Sequence, residues 1–155
     1  MIKIMKECWD KNQEMLREHI KTINMNEVGY TDLVKLTFNV IYNDYAQWGY
    51  ERLDMDRITR IDHGDYQGTL LFLIPFDTYQ PSEYEYLMTY IGYGSCCVCD
   101  VLQNIVSLNY DYSDTPTEHQ VTMLMGVCKD IICNTIKPYN SGWRENEDFE
   151  IVEDD

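Results

Sequence analysis

Residues 69–105, TLLFLIPFDTYQPSEYEYLMTYIGYGSCCVCDVLQNI, contain the most apolar strand candidate in the chain and three of its six cysteines within four positions. The run Tyr66–Phe76 is too continuously apolar for burial on one face, which predicts a central strand, and Pro75 should end its pairing. After the polar loop FDTYQPSE, Tyr86, Met88, Tyr90 and Gly92 alternate with Leu87, Thr89, Ile91 and Tyr93, the two-residue period of a strand. Gly92-Tyr93-Gly94 then turns the chain. Ser95 is the expected cap of a helix running from Cys96 to about Leu108, with Val98, Val101, Leu102 and Ile105 as its apolar stripe.

Upstream, DRITRID (56–62) alternates polar and apolar residues and predicts a half-buried strand; His63-Gly64-Asp65 is turn chemistry. Together these segments predict a three-stranded antiparallel meander. Two helices are expected before it. Met1–Asn24 repeats Met5, Cys8, Trp9, Leu16, Ile20 and Ile23 at spacings of three and four. The second helix has Thr31 as its expected cap, Leu33, Val34, Phe38, Ile41, Tyr42 and Tyr45 on one face, and Gly49 as its stop; a short connection makes the two an antiparallel pair. Thr115-Pro116-Thr117-Glu118 reads as a capping box. It opens a last helix to about Ile136, packed through Val121, Leu124, Cys128, Ile131 or Ile132, and Ile136, and stopped by Lys137-Pro138. The fold class is therefore α+β: one domain over residues 1–138, and an acidic tail, 139–155, expected to be mobile.

Charge is the strongest global feature, with 12 Lys and Arg against 27 Asp and Glu for a net −15. Its distribution is uneven. Residues 61–128 hold nine acids and no Lys or Arg, whereas residues 1–60 are nearly balanced with ten acids and nine bases. Such a field repels nucleic acid and acidic membrane and favours encounter with basic surfaces. Residues 1–15 carry charges throughout and no apolar signal core, so export is not expected. The thiols are then expected to be reduced, in a cytoplasm.

The site candidates follow from these patterns. Cys96-x-x-Cys99 at a helix start suggests a redox dithiol or half a zinc site, but Asp100 and the acid field should raise the thiol pKa, and a structural zinc site needs a second pair of ligands. Cys128 and Cys133 lie about 140° apart around one helix and cannot supply that pair. Packing of small apolar thiols explains the same residues. His63 with Asp62 and Asp65 is explained by a polar turn. The GYGS segment resembles an anion cradle without the basic residues a phosphate needs. Eight of the thirteen tyrosines fall between Tyr66 and Tyr112. Aromatic anchors ringed by carboxylates suit a protein–protein interface, which singles out Asp77, Tyr79, Glu83, Tyr84, Glu85, Asp111, Tyr112 and Asp114.

The run from Ile61 to Gln103 resembles a family of small, uncharacterised phage and prophage proteins from Gram-positive hosts. The resemblance covers about residues 30–136. It rests on Gly64-Asp65-Tyr66-Gln67-Gly68, on Tyr79-Gln80-Pro81-Ser82, and on Gly94-Ser95-Cys96 through Leu102-Gln103. Members more often carry a small residue at the position of Cys97. The resemblance implies an early or accessory phage product acting in a bacterial cytoplasm.

The resulting expectation is a non-enzymatic protein that inhibits or modulates a host or defence macromolecule. In its concrete form it is anti-CRISPR-like, presenting an acidic, tyrosine-rich mimic of nucleic acid to a basic nucleic-acid-binding surface. Direct binding of nucleic acid or membrane is not expected, and no cofactor is. Two alternatives stay open: a small zinc- or thiol-dependent protein centred on Cys96 and Cys99, and a self-assembling structural or replication-associated phage protein, for instance a homodimer.

Overall fold

The structure, a computed structural model, describes residues 1–44, 51–65, 67–96, 98–108, 113–138 and 151–152. It is α+β, with four α-helices and a three-stranded antiparallel sheet among the described residues. The helices are α1 (Lys3–Ile20), α2 (Tyr30–Phe38), α3 (Val101–Ser107) and α4 (Glu118–Cys133); the strands are β1 (Thr59–Asp62), β2 (Gly68–Pro75) and β3 (Tyr86–Tyr93). No described helix is long and apolar enough to cross a membrane.

The sheet runs β1-β2-β3, as the alternation predicts, with β2 central and Pro75 as its last residue. Register places Phe72 between Arg60 and Thr89, and Leu70 between Asp62 and Ile91. Leu70, Phe72, Ile74, Leu87, Thr89 and Ile91 are buried on the face toward the helices. The opposite face carries Leu71, Leu73 and Met88, half-buried, and the exposed Ile61 and Tyr90. Among the described residues helices cover one side of the sheet, and β2 buries Leu70, Phe72 and Ile74 on that face and leaves Leu71 and Leu73 half-buried on the other. β1 is exposed at all four positions instead of half-buried, because it is an edge strand whose inward residues are Arg60 and Asp62.

Helix α4 is the hub. Val121, Leu124, Met125, Val127, Cys128, Ile131 and Ile132 are all buried, and the helix packs against β3, α1, α2 and α3. Thr89 ties the sheet to it, its hydroxyl donating to the Ile131 carbonyl at 2.6 Å. The capping box lies two residues later than Thr115 and Glu118 suggest. Thr117 is the cap: its hydroxyl accepts from Gln120 N at 3.2 Å, and the Gln120 side chain accepts from Thr117 N at 2.9 Å. The Gln120 side chain also donates to the Ile105 carbonyl at 2.9 Å, a bond to α3 that the carboxylate of Glu118 has no donor to make. At its other end α4 stops at Cys133; Ile136 instead bridges Met88 beside the sheet.

Helix α1 is shorter than the 24 residues of its apolar pattern, ending at Ile20. Helix α2 is capped at Gly29, not Thr31, because the Asp32 carboxylate accepts from Gly29 N at 2.9 Å. It widens into a π-helical turn over Asn39–Asn43, and the Gly49 stop lies outside the described residues. Buried Asn43 then accepts from Leu53 N at 2.8 Å and donates to Leu53 O at 3.0 Å, so one side chain serves as a pairing partner for returning backbone.

Of the acidic tail, residues 139–150 and 153–155 lie outside the described residues. Ile151 and Val152 are described, and they are not free. Ile151 bridges Ile2, and Val152 N donates to Met1 O at 2.9 Å.

Candidate functional site

The candidate residues fall at two ends of the sheet. At one end, the β2–β3 connection carries Asp77, Tyr79, Glu83, Tyr84 and Glu85. Its backbone is pinned at several points. Phe76 N donates to Glu85 O at 2.9 Å, Asp77 N to Arg52 O at 2.7 Å, and Glu85 N to Ser82 O at 2.9 Å. Arg57, paired with Asp54, donates to the Thr78 carbonyl at 2.6 Å. On this framework Tyr79 is 94% exposed, and Asp77, Glu83 and Tyr84 are also exposed. Glu85 differs. It is half-buried, and its carboxylate accepts from the Ser82 hydroxyl at 3.0 Å, which holds it below the usual carboxylate pKa. Glu85 shapes the loop; the other four residues face outward. Arg52 and Arg57 at the loop base make the local field mixed rather than uniformly acidic.

Asp114 belongs to the opposite end. Its carbonyl accepts from Met25 N at 2.7 Å, and Met25 lines a cleft shared with Leu70 and Tyr93 at the far ends of β2 and β3. An eight-residue strand is about 26 Å long, so Asp114 does not join the β2–β3 loop in one patch. Asp111 and Tyr112 lie outside the described residues.

Gly68 pairs with Tyr93, and the Tyr93 hydroxyl donates to Asp62 at 2.6 Å. Tyr93 is held above its ordinary pKa, chiefly by that bond. The cleft here has a volume of about 650 Å³, with Tyr30, Arg60, Asp62, Tyr93 and Asp100 among its walls. Its polar groups largely satisfy one another. Asp100, 3% exposed, accepts from Gln103 N at 2.8 Å, from Gly94 N at 3.0 Å and from the Tyr30 hydroxyl at 3.1 Å. The Tyr30 oxygen in turn accepts from Leu102 N at 3.2 Å, and burial pushes the phenol up to about 12. Sequence reasoning missed both Tyr30 and the structural role of Asp100. Asp100-x-x-Gln103 was the available signal, a carboxylate three residues before an amide it can cap.

Asp100, not Ser95, is therefore the cap of α3, and the helix begins at Val101. Cys96 and Cys99 sit in the preceding turn rather than in the first helical turn. Cys99 N and Asp100 N both donate to Cys96 O, at 3.2 and 2.8 Å. The two Sγ atoms are 3.2 Å apart, and both residues are exposed. Cys99 Sγ also accepts from Cys96 N at 3.3 Å. Contact with the Cys96 thiol, then that N–H, lowers Cys99 to about 7, the reverse of the rise expected from Asp100. The Asp100 carboxylate, for its part, accepts from Gly94, Gln103 and Tyr30. Cys97 lies outside the described residues.

The two buried thiols contrast with this pair. Burial pushes Cys8 up to about 12 and Cys128 up to about 11, so these two serve as packing. Among the described residues no group of three or more His, Cys, Asp or Glu is placed to hold a metal ion. Cys96 and Cys99 would supply two ligands of a zinc site, short of the usual four. Comparison with protein-family models, with curated proteins and with solved structures finds no match to this chain.

Proposed function

We propose that this is a non-catalytic binding protein that docks a basic macromolecular partner through its β2–β3 loop. The concrete form is a phage-type accessory inhibitor of a host or defence protein whose own surface binds nucleic acid. The observation that carries the reading is Tyr79, 94% exposed on a loop whose backbone is fixed by hydrogen bonds on both flanks. A rigid, amphipathic ring presented this way loses little conformational freedom on binding. Asp77 and Glu83 give its surroundings negative charge, and the net −15 of the chain speeds encounter with a basic surface. Tyr84 is the second anchor. Asp114 is left out of this patch by its position at the other end of the sheet.

The test is comparative affinity capture from a Gram-positive host lysate, with the unmodified chain and with a Tyr79→Ala/Glu83→Lys variant. The expected result is a partner retained by the first, lost by the second, and eluted as salt rises from about 0.05 to about 0.5 M. Identical captures from the two chains, or a complex indifferent to salt, would overturn the reading.

A further inference from the structure

We propose that Cys96 and Cys99 form a dithiol that reacts with disulfides, Cys99 as the attacking sulfur and Cys96 as the resolving one. The geometry is already close to that of the product. A disulfide needs its sulfurs about 2.05 Å apart, and here they stand at 3.2 Å in a turn closed by two bonds to the Cys96 carbonyl. Closure is within reach of side-chain rotation. Both thiols are exposed, so a disulfide substrate reaches them without unfolding.

The turn itself is held from below. Gly94 packs directly beneath Cys99: a Cβ there would come within 2.6–2.7 Å of the Cys99 backbone and sulfur. The Asp100 carboxylate then joins the two sides of the turn by binding Gly94 N and Gln103 N. Val98, between the two cysteines, is 88% exposed and Val101 53%, so apolar side chains stand near the thiols together with the Ser95 hydroxyl. A disulfide flanked by apolar groups, as in a peptide, suits that surface.

Assignment of the roles follows from the hydrogen bonds. Cys99 Sγ receives the Cys96 N–H and faces the Ser95 hydroxyl at 3.8 Å, contacts that favour its thiolate. Its pKa of about 7 lies near the optimum for attack at neutral pH. The steps balance. The Cys99 thiolate attacks one sulfur of R–S–S–R, the S–S bond breaks, and one RS⁻ leaves. The Cys96 thiolate then attacks Cys99 Sγ in the mixed disulfide, and the second RS⁻ leaves. The two protons of the original thiols pass to the two leaving thiolates. The protein loses two electrons, and the disulfide substrate gains them.

The experiment uses the full chain in a Cys97→Ser background, with oxidised glutathione as the probe at pH 7 and peptide mapping by mass spectrometry. The expected result is an intramolecular Cys96–Cys99 disulfide, a mass loss of about 2 Da. Cys96→Ser should instead trap one glutathione on Cys99, and Cys99→Ser should react several-fold more slowly. Failure to form the disulfide while both thiols remain open to alkylation would overturn the proposal. So would glutathione spread evenly over the cysteines, or a trapped adduct on Cys96 rather than Cys99. Tight one-to-one zinc binding that blocks alkylation of both thiols would also overturn it, in favour of a metal site.

Discussion

Replacing Asp100 with alanine tests a buried carboxylate on which three donors converge. They are Gln103 N, Gly94 N and the Tyr30 hydroxyl, at 2.8–3.1 Å, and the residue is 3% exposed. Loss of the helix cap costs about 1 kcal/mol. The two other donors are left without an acceptor, at about 1 kcal/mol each if water enters the space. The sum is about 3 kcal/mol, and for a chain of this size that lowers Tm by roughly 6–12 °C. Urea unfolding followed by circular dichroism measures it directly. Tyr30→Phe removes one of the same bonds, so the double variant should be less damaged than the sum, with a coupling of about 1 kcal/mol. A loss below about 0.5 kcal/mol for Asp100→Ala, or strict additivity with Tyr30→Phe, would refute the view that this carboxylate closes the Cys96–Cys99 turn onto α2.

Other expectations follow from the same structure. Asn43→Ala strips both partners from the buried Leu53 backbone and should cost about 2–4 kcal/mol in the same unfolding assay. Gly94→Ala forces its Cβ into Cys99 and should cost about 1–3 kcal/mol, with a changed alkylation rate at Cys99 as the local readout. Tyr30 has its pKa raised by burial, so its neutral form is favoured in the folded state. The stability it contributes is present below about pH 10 and is lost as pH rises toward about 12; in alkaline titration Tyr30→Phe should flatten that limb. Tyr79→Ala, by contrast, should leave unfolding within about 0.5 kcal/mol of the parent, since the side chain is 94% exposed.

Local pattern carried the fold a long way. Alternation in Tyr86–Tyr93 marked a strand with two distinct faces, and the continuous run before it marked the central strand. The errors lie where two residues compete for one role. Thr115-x-x-Glu118 and Thr117-x-x-Gln120 are both capping boxes on paper, and only the second also reaches Ile105. Ser95 and Asp100 both precede apolar stripes, but only Asp100 has Gly94, Gln103 and Tyr30 to satisfy it. The last of these partners is 70 residues away, and no local pattern reports it. The site suffered the same limit. Asp77, Tyr79, Glu83 and Tyr84 are neighbours in sequence and in space, whereas Asp114 is separated from them by the length of a strand. For Cys99, nearness of Asp100 in sequence suggested a raised pKa, but hydrogen bonds from Cys96 and Ser95 lower it instead.

The edge strand β1 carries one more consequence. Its outer edge has no partner strand among the described residues, and the apolar Ile61 stands beside Leu71 on the uncovered face of the sheet. An edge of that kind is an invitation to growth by addition of further strands. Here it is only four residues long, and two of the four, Arg60 and Asp62, are charged. A second chain adding to β1 would have to bring its own strand alongside both charges over barely more than one turn of pleat. Brevity and charge at this edge thus act together as a stop on templated polymerisation.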